Sequence, residues 1–176
     1  EKTMSRIEGL VGASAAQVEA FKQPLLDIGK ATAKGPNELA EALFFITSAG
    51  AEGQDALDIL EASAKAAAAG LGETKQVADA VTSAMNAYGK ENLSASRATD
   101  ILVATVKEGK AEADSIAGAL GQILPTAAEL GIEFQELGGA IAALTRIGLG
   151  ADQAATSLGA TIAAIQKPGA DARAAL

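Results

Sequence analysis

The sequence predicts an all-α protein, about eight short antiparallel helices in a compact hairpin array or bundle with no β-sheet, and three observations carry that expectation. Alanine supplies about a quarter of the 176 residues and β-branched runs are scarce, which favours helix throughout. Gly50, Gly70, Gly89, Gly109, Gly131 and Gly148 each follow an apolar-periodic segment, spaced by about twenty residues, as expected of residues that close helices in the left-handed conformation. Within the segments the large apolar residues recur three and four apart, so each helix has one stripe to bury.

A first helix is placed over 15–33. The second, over 36–49, opens on Gly35-Pro36 with proline at the first helical position, and Leu39, Leu43 and Ile46 form its stripe. The third, over 53–69, begins with acids that complement the helix dipole. The fourth covers 73–88 and carries Val77, Val81, Met85 and Tyr88. Ser94 caps the fifth, over 95–108. Glu112 or Asp114 starts the sixth, over 112–130, with Ile116, Leu120, Ile123 and Leu130 aligned. Phe134, Leu137, Ile141 and Leu144 define the seventh, over 134–147, and Leu158, Ile162 and Ile165 the eighth, over 151–166. The connections are only a few residues long, so successive helices must double back on their neighbours.

Glycine breaks every seam after about four turns, too soon for a coiled-coil rod. Pro24 and Pro125 fall inside helical patterns, where each removes an N–H and crowds the carbonyl four residues earlier, so kinks are expected. The run Gly121-Gln-Ile-Leu-Pro125 reads as either a fixed bend or a hinge. Gly70-Leu71-Gly72 recurs as Gly148-Leu149-Gly150, and Gly131-Ile132 echoes it, which is a weak internal repeat.

Residues 1–176 are expected to form a single domain, read as a fragment of a longer protein because Ala170-Asp-Ala-Arg-Ala-Ala-Leu176 is a helical pattern. With no Cys and no His, the chain has no disulfide, no thiolate or imidazole metal ligand, no Cys nucleophile and no His base. A net charge of -8 without basic clusters argues against direct nucleic acid binding. The longest uncharged stretches, Ser115 to Ala128 and Gln153 to Gln166, fall short of the roughly 18 residues that span a bilayer. The opening Glu1-Lys2-Thr3-Met4 lacks the order of a signal peptide.

No catalytic, cofactor-binding or metal-binding residue is predicted. Glu52, Asp55, Asp58 and Glu61 are spaced like a hard-cation site, but acids in the first turns of an exposed helix are better read as a solvated, dipole-complementing face. Gly148-Leu-Gly-Ala-Asp-Gln153 begins like a dinucleotide fingerprint, yet it lacks the third glycine and a preceding strand. Phe21, Phe44, Phe45, Tyr88 and Phe134 are too few and too scattered for a base-stacking platform and read as core. At Phe44-Phe45 adjacent rings point about 100° apart, so one is a candidate partner contact, with burial of both favoured.

Five blocks go beyond composition: Phe44-Phe-Ile-Thr-Ser-Ala-Gly50, Leu60-Glu-Ala-Ser-Ala-Lys-Ala-Ala-Ala-Ala-Gly-Leu-Gly-Glu73, Asn86-Ala-Tyr-Gly89, Val106-Lys-Glu-Gly-Lys-Ala-Glu112, and Leu120-Gly-Gln-Ile-Leu-Pro-Thr-Ala-Ala-Glu-Leu-Gly-Ile132. In this order they resemble the core region of tailed-phage tape measure proteins, also called minor tail proteins, from about Ile7 to Leu176. The resemblance implies a structural, non-enzymatic component of a phage or prophage tail that takes part in tail assembly and tail length determination. It implies no cofactor. Implied partners are tail tube, baseplate or tail-tip proteins and assembly chaperones, with self-association and contact with the host membrane during infection. The implied locations are the virion tail and, during assembly, the host bacterial cytoplasm. Two other readings stand beside it: a membrane-active helical segment released during genome ejection, motivated by the stripes Leu137 to Leu144 and Leu158 to Ile165, and a generic helical protein-binding array.

Overall fold

The structure, a computed structural model, describes residues 15–166. The helical pattern 170–176, the N-terminal tetrapeptide and the start of the resemblance at Ile7 lie outside the described residues. Within them the chain forms α1 (Ala15–Thr32), α2 (Pro36–Ser48), α3 (Gly53–Ala68), α4 (Thr74–Tyr88), α5 (Ala95–Glu108), α6 (Ala113–Glu129), α7 (Phe134–Arg146) and α8 (Ala151–Gln166), and no strand. Every boundary falls within one residue of the expected one. Local chemistry explains that accuracy. Pro36 occupies the first turn of α2, Ser94 Oγ accepts from Arg97 N–H at 3.3 Å, and Glu73 and Glu133 close capping boxes with Gln76 and Glu136.

Four helices end in one and the same turn. After α2, α3, α6 and α7 the glycine N–H bonds back to Thr47, Ala67, Ala128 and Thr145, and the following residue, Ala51, Leu71, Ile132 or Leu149, bonds to Ile46, Ala66, Ala127 or Leu144. This paired six-to-one and five-to-two pattern is the Schellman motif, which needs positive φ, and Gly50, Gly70, Gly131 and Gly148 stand at 89°, 100°, 71° and 105°. The weak sequence repeat is therefore a repeat of turn geometry. Gly109 departs from the expectation. Its φ is -88° and its ψ -176°, ordinary extended backbone, and it is glycine for another reason described below.

Every substantial helix contact joins consecutive helices or helices next but one in the chain. The odd-numbered helices therefore form one layer and the even-numbered helices a second, each pair stacking on the pair before. This is the hairpin array rather than a bundle around one axis. Leu39, Leu43, Ile46, Ile59, Leu60, Val81, Ile116, Leu120, Leu124, Leu137 and Ile141 are fully buried between the layers, and alanines such as Ala42, Ala64, Ala78, Ala98 and Ala127 let backbones approach closely around them. α1 and α6 continue as helix through Pro24 and Pro125.

Candidate functional site

Two kinds of contact hold next-but-one helices in register. Between α2 and α4, Thr74 Oγ1 donates to Glu38 Oε1 at 2.6 Å while Lys34 Nζ lies 3.0 Å from the same carboxylate. Partial burial pushes the Glu38 carboxyl up, but these two donors outweigh it and hold the pKa below the ordinary 4.5. One turn on, Lys75 Nζ sits 3.7 Å from Glu41 and 3.8 Å above the centre of the Phe45 ring. At the other end of α4, Asn86 and Lys90 donate to the carbonyls of Ala49 and Gly50 in the α2–α3 turn, at 3.3 and 3.4 Å.

Between α5 and α7 the contact is backbone against side chain. A Cβ built on Gly138 would lie 2.4 Å from Thr105 Oγ1, and one on Gly109 would lie 2.8 Å from both the Thr105 carbonyl and Thr145 Oγ1. Thr145 Oγ1 in turn accepts from Lys110 N–H at 3.2 Å, fixing the α5–α6 turn onto α7. Gly109 thus serves close approach rather than a left-handed turn. Tyr88 closes the junction: its hydroxyl donates to Ile132 O at 2.9 Å and its ring packs 5.8 Å from Phe134. Burial, with the Glu136 charge nearby, pushes the Tyr88 hydroxyl up to about 12.

Close approach leaves a shallow outer groove of about 390 Å³ along α5 and α7. One wall carries Asp100, Ala104 and Glu108 at four-residue spacing, and the other Gln135, Gly139 and Ala142, with Arg97 bonded across the end to Gln135 at 3.1 Å. Thr105, at its floor, spends its hydroxyl on Ile101 O at 2.8 Å. The groove can pack a side chain or a helix and can attract a cation, but it brings together no nucleophile with a base. Alanine and glycine beside the stripes allow close helix approach, but neither the groove nor Gly138 stands out in the sequence beyond the adjacent pair Gly138-Gly139 inside an amphipathic helix, a usable signal since glycine costs helix about 1 kcal/mol unless space requires it.

The sequence-marked residues do not converge. Asp55 lies 3.9 Å from Lys90, Asp58 accepts from Gln54 at 2.7 Å, and Glu61 pairs with Lys65 at 2.6 Å, while Glu52 caps α3 without a side-chain bond. Among the described residues no group of three or more carboxylates is placed to hold a metal ion. Phe44 and Phe45 are both half-buried, stacked edge to face at 5.5 Å, with Lys75 over the latter. The favoured expectation of two core rings holds in part: Phe44 packs against the core, whereas Phe45 is covered by the Lys75 charge from α4. Among the described residues no helix is long and apolar enough to cross a membrane.

Residues 22–176 match the family model of phage-related minor tail proteins. A protein of Pneumococcus phage Dp-1, named tape measure protein, is 27% identical over 94% of this chain and 14% of its own length. A probable tape measure protein of Clostridium phage phiCD119 is 24% identical over 78% of this chain and 15% of its own length. The chain thus spans about one seventh of these relatives. No solved structure matches it.

Proposed function

This chain belongs to the phage-related minor tail protein family, and from that premise we propose that it is a folded, non-enzymatic segment of a tape measure protein, one domain in the virion tail that organises assembly rather than measuring length. The observation that carries this reading is that, among the described residues, each helix from α1 to α6 packs against both the next helix and the next but one. A ruler of continuous helix advances about 1.5 Å per residue, so 176 residues would extend roughly 260 Å. Four stacked pairs at helix spacings of 8–10 Å make instead a body of about 40 Å. Its side chains offer surfaces for other tail proteins, such as tube, baseplate or tail-tip subunits and assembly chaperones met in the host cytoplasm. Of the stripes that motivated the membrane-active alternative, Leu137, Ile141 and Ile162 are buried in the array, Leu144 and Leu158 are half-buried, and Ile165 alone is exposed.

Deleting α7 with its C-cap, Phe134 to Ile147, from the phage protein tests this proposal. α5, α6 and α8 would each lose a packed neighbour, so the expected outcome is absent or misassembled tails in electron micrographs. Regular tails shortened by about 1.5 Å per deleted residue would mean that the segment is extended in the tail.

A further inference from the structure

α5 lies inside the odd-numbered layer, with α3 on one side of it and α7 on the other, so its outward face is not an end of the array. Arg97, Asp100, Ala104, Lys107 and Glu108 share that face within an arc of about 100°, and all five are exposed. The charges along it run positive, negative, positive, negative, with the small Ala104 between the two halves. Their partners are missing from the chain itself. In the first half of the array Lys22, Lys30, Lys34, Lys65, Lys75 and Lys90 each pair with a carboxylate. Among the described residues the side chains of Asp100, Lys107 and Glu108 have no ion pair or hydrogen bond, and the Arg97 side chain bonds only to the neutral Gln135.

We infer that this face is an interface between two copies of the chain, packed with α5 antiparallel to α5 about a two-fold axis beside Ala104. The order of the charges selects this occupant. In the antiparallel arrangement Arg97 meets Glu108 of the second copy and Asp100 meets Lys107 of the second copy, and both pairs are centred between residues 102 and 104. One register therefore satisfies all four charges on each chain, as a self-complementary two-fold contact requires. Parallel and in register, like charges would face one another. A uniformly acidic or basic partner, such as nucleic acid or an anionic lipid surface, gains on two of the charges and loses on the other two. The net charge of -8 is screened beyond about 10 Å at 0.1 M salt, so the facing charges decide the contact. Shape permits the approach. The groove of about 390 Å³ runs beside Ala104, and its far wall is Gly139 and Ala142, where a Cβ on Gly139 would meet nothing within 4 Å. A face one helix wide buries less than the roughly 1,200–2,000 Å² of stable complexes, so the pairing is weak and reversible, and its test traps it covalently.

The test uses the whole phage tail protein and does not depend on tail length. Ala104→Cys places a thiol beside the axis, and Asp58→Cys, on the exposed side of α3 in the same layer, reports random collision. Disulfides formed under mild oxidation are mapped by mass spectrometry; a bond between two copies of position 104 joins two chains by necessity. The proposal expects that bond to form at least about tenfold faster than the one at position 58. Lys107→Glu, which sets like charges together twice, should slow it by about tenfold, and adding Asp100→Lys should restore the rate. Equal rates at positions 104 and 58 overturn the proposal, as does a Lys107→Glu variant that crosslinks at the original rate. A loss that Asp100→Lys does not restore overturns it too, because Lys107 then faces some other group. In intact tails, an introduced thiol at 104 that is shielded from labelling yet joined to no second copy assigns the face to a different tail protein, which also overturns it.

Discussion

The α2–α4 pair and the α5–α7 pair occupy equivalent places in the array and are held by opposite means. At the first, polar groups link the two helices and the turns beside them: Thr74 on Glu38, Lys75 on Glu41 and Phe45, Lys90 on Gly50. At the second, Gly138 brings the α7 backbone against Thr105, and the register is fixed by shape. The difference teaches where each pair is sensitive. A clasp at a partly exposed surface is screened by water and contributes modestly. A close approach cannot give way, because Thr105 Oγ1 is itself bonded to Ile101 O at 2.8 Å and has no cheap alternative position.

The largest expected effect follows from that contrast. Gly138→Val should destabilise the chain by about 3 kcal/mol, through overpacking against Thr105, while its neighbour Gly139→Ala, where a Cβ meets nothing within 4 Å, should stabilise it by up to about 1 kcal/mol through helix propensity. Denaturant unfolding followed by circular dichroism measures both. Equal effects at the two glycines would mean that α5 and α7 are not in this register.

A smaller effect is expected on the clasped side. Thr74→Val should cost about 1 kcal/mol at neutral pH, the net worth of one hydrogen bond to a partly exposed carboxylate. The Glu38 pKa is lowered in the folded state, so the stability it contributes is present in full above its ordinary 4.5 and is lost as pH falls through the folded value. The difference between wild type and Thr74→Val should therefore narrow in acid. Urea midpoints at a series of pH values would show it, and a difference that widens below that range would mean that Thr74 stabilises the protonated acid.

What the sequence made legible was local. Pro36, Ser94, Glu73 with Gln76, and the glycines at 50, 70, 131 and 148 act within a few residues of themselves, so helix ends were readable to within one position. That successive helices pack together followed from the short connections, but which helix lies next but one depends on distant residues and was not readable. Gly138 and Gly139 are adjacent and chemically identical, and only the position of Thr105 makes one indispensable and the other replaceable. Gly109 looked like the other helix-closing glycines because spacing does not encode φ. Phe45 was not readable as a half-buried ring for a related reason, since the lysine that covers it comes from α4. The family was legible in the ordered blocks from Phe44 to Ile132, whereas the α5–α7 groove has no mark beyond two glycines.

The central claim is that this segment stays folded as a next-but-one helical array in the assembled tail. A Cβ at position 138 lies 3.7 Å from Thr105 Cβ, close to the roughly 3.8 Å of a disulfide, in a chain that has no cysteine of its own. On one continuous helix the same two positions would be roughly 50 Å apart. The decisive measurement is therefore to build Thr105→Cys with Gly138→Cys into the phage protein, oxidise purified intact tails, and map disulfides by mass spectrometry. The account predicts an intramolecular 105–138 disulfide in tails of normal length. Two free thiols in those tails would contradict it.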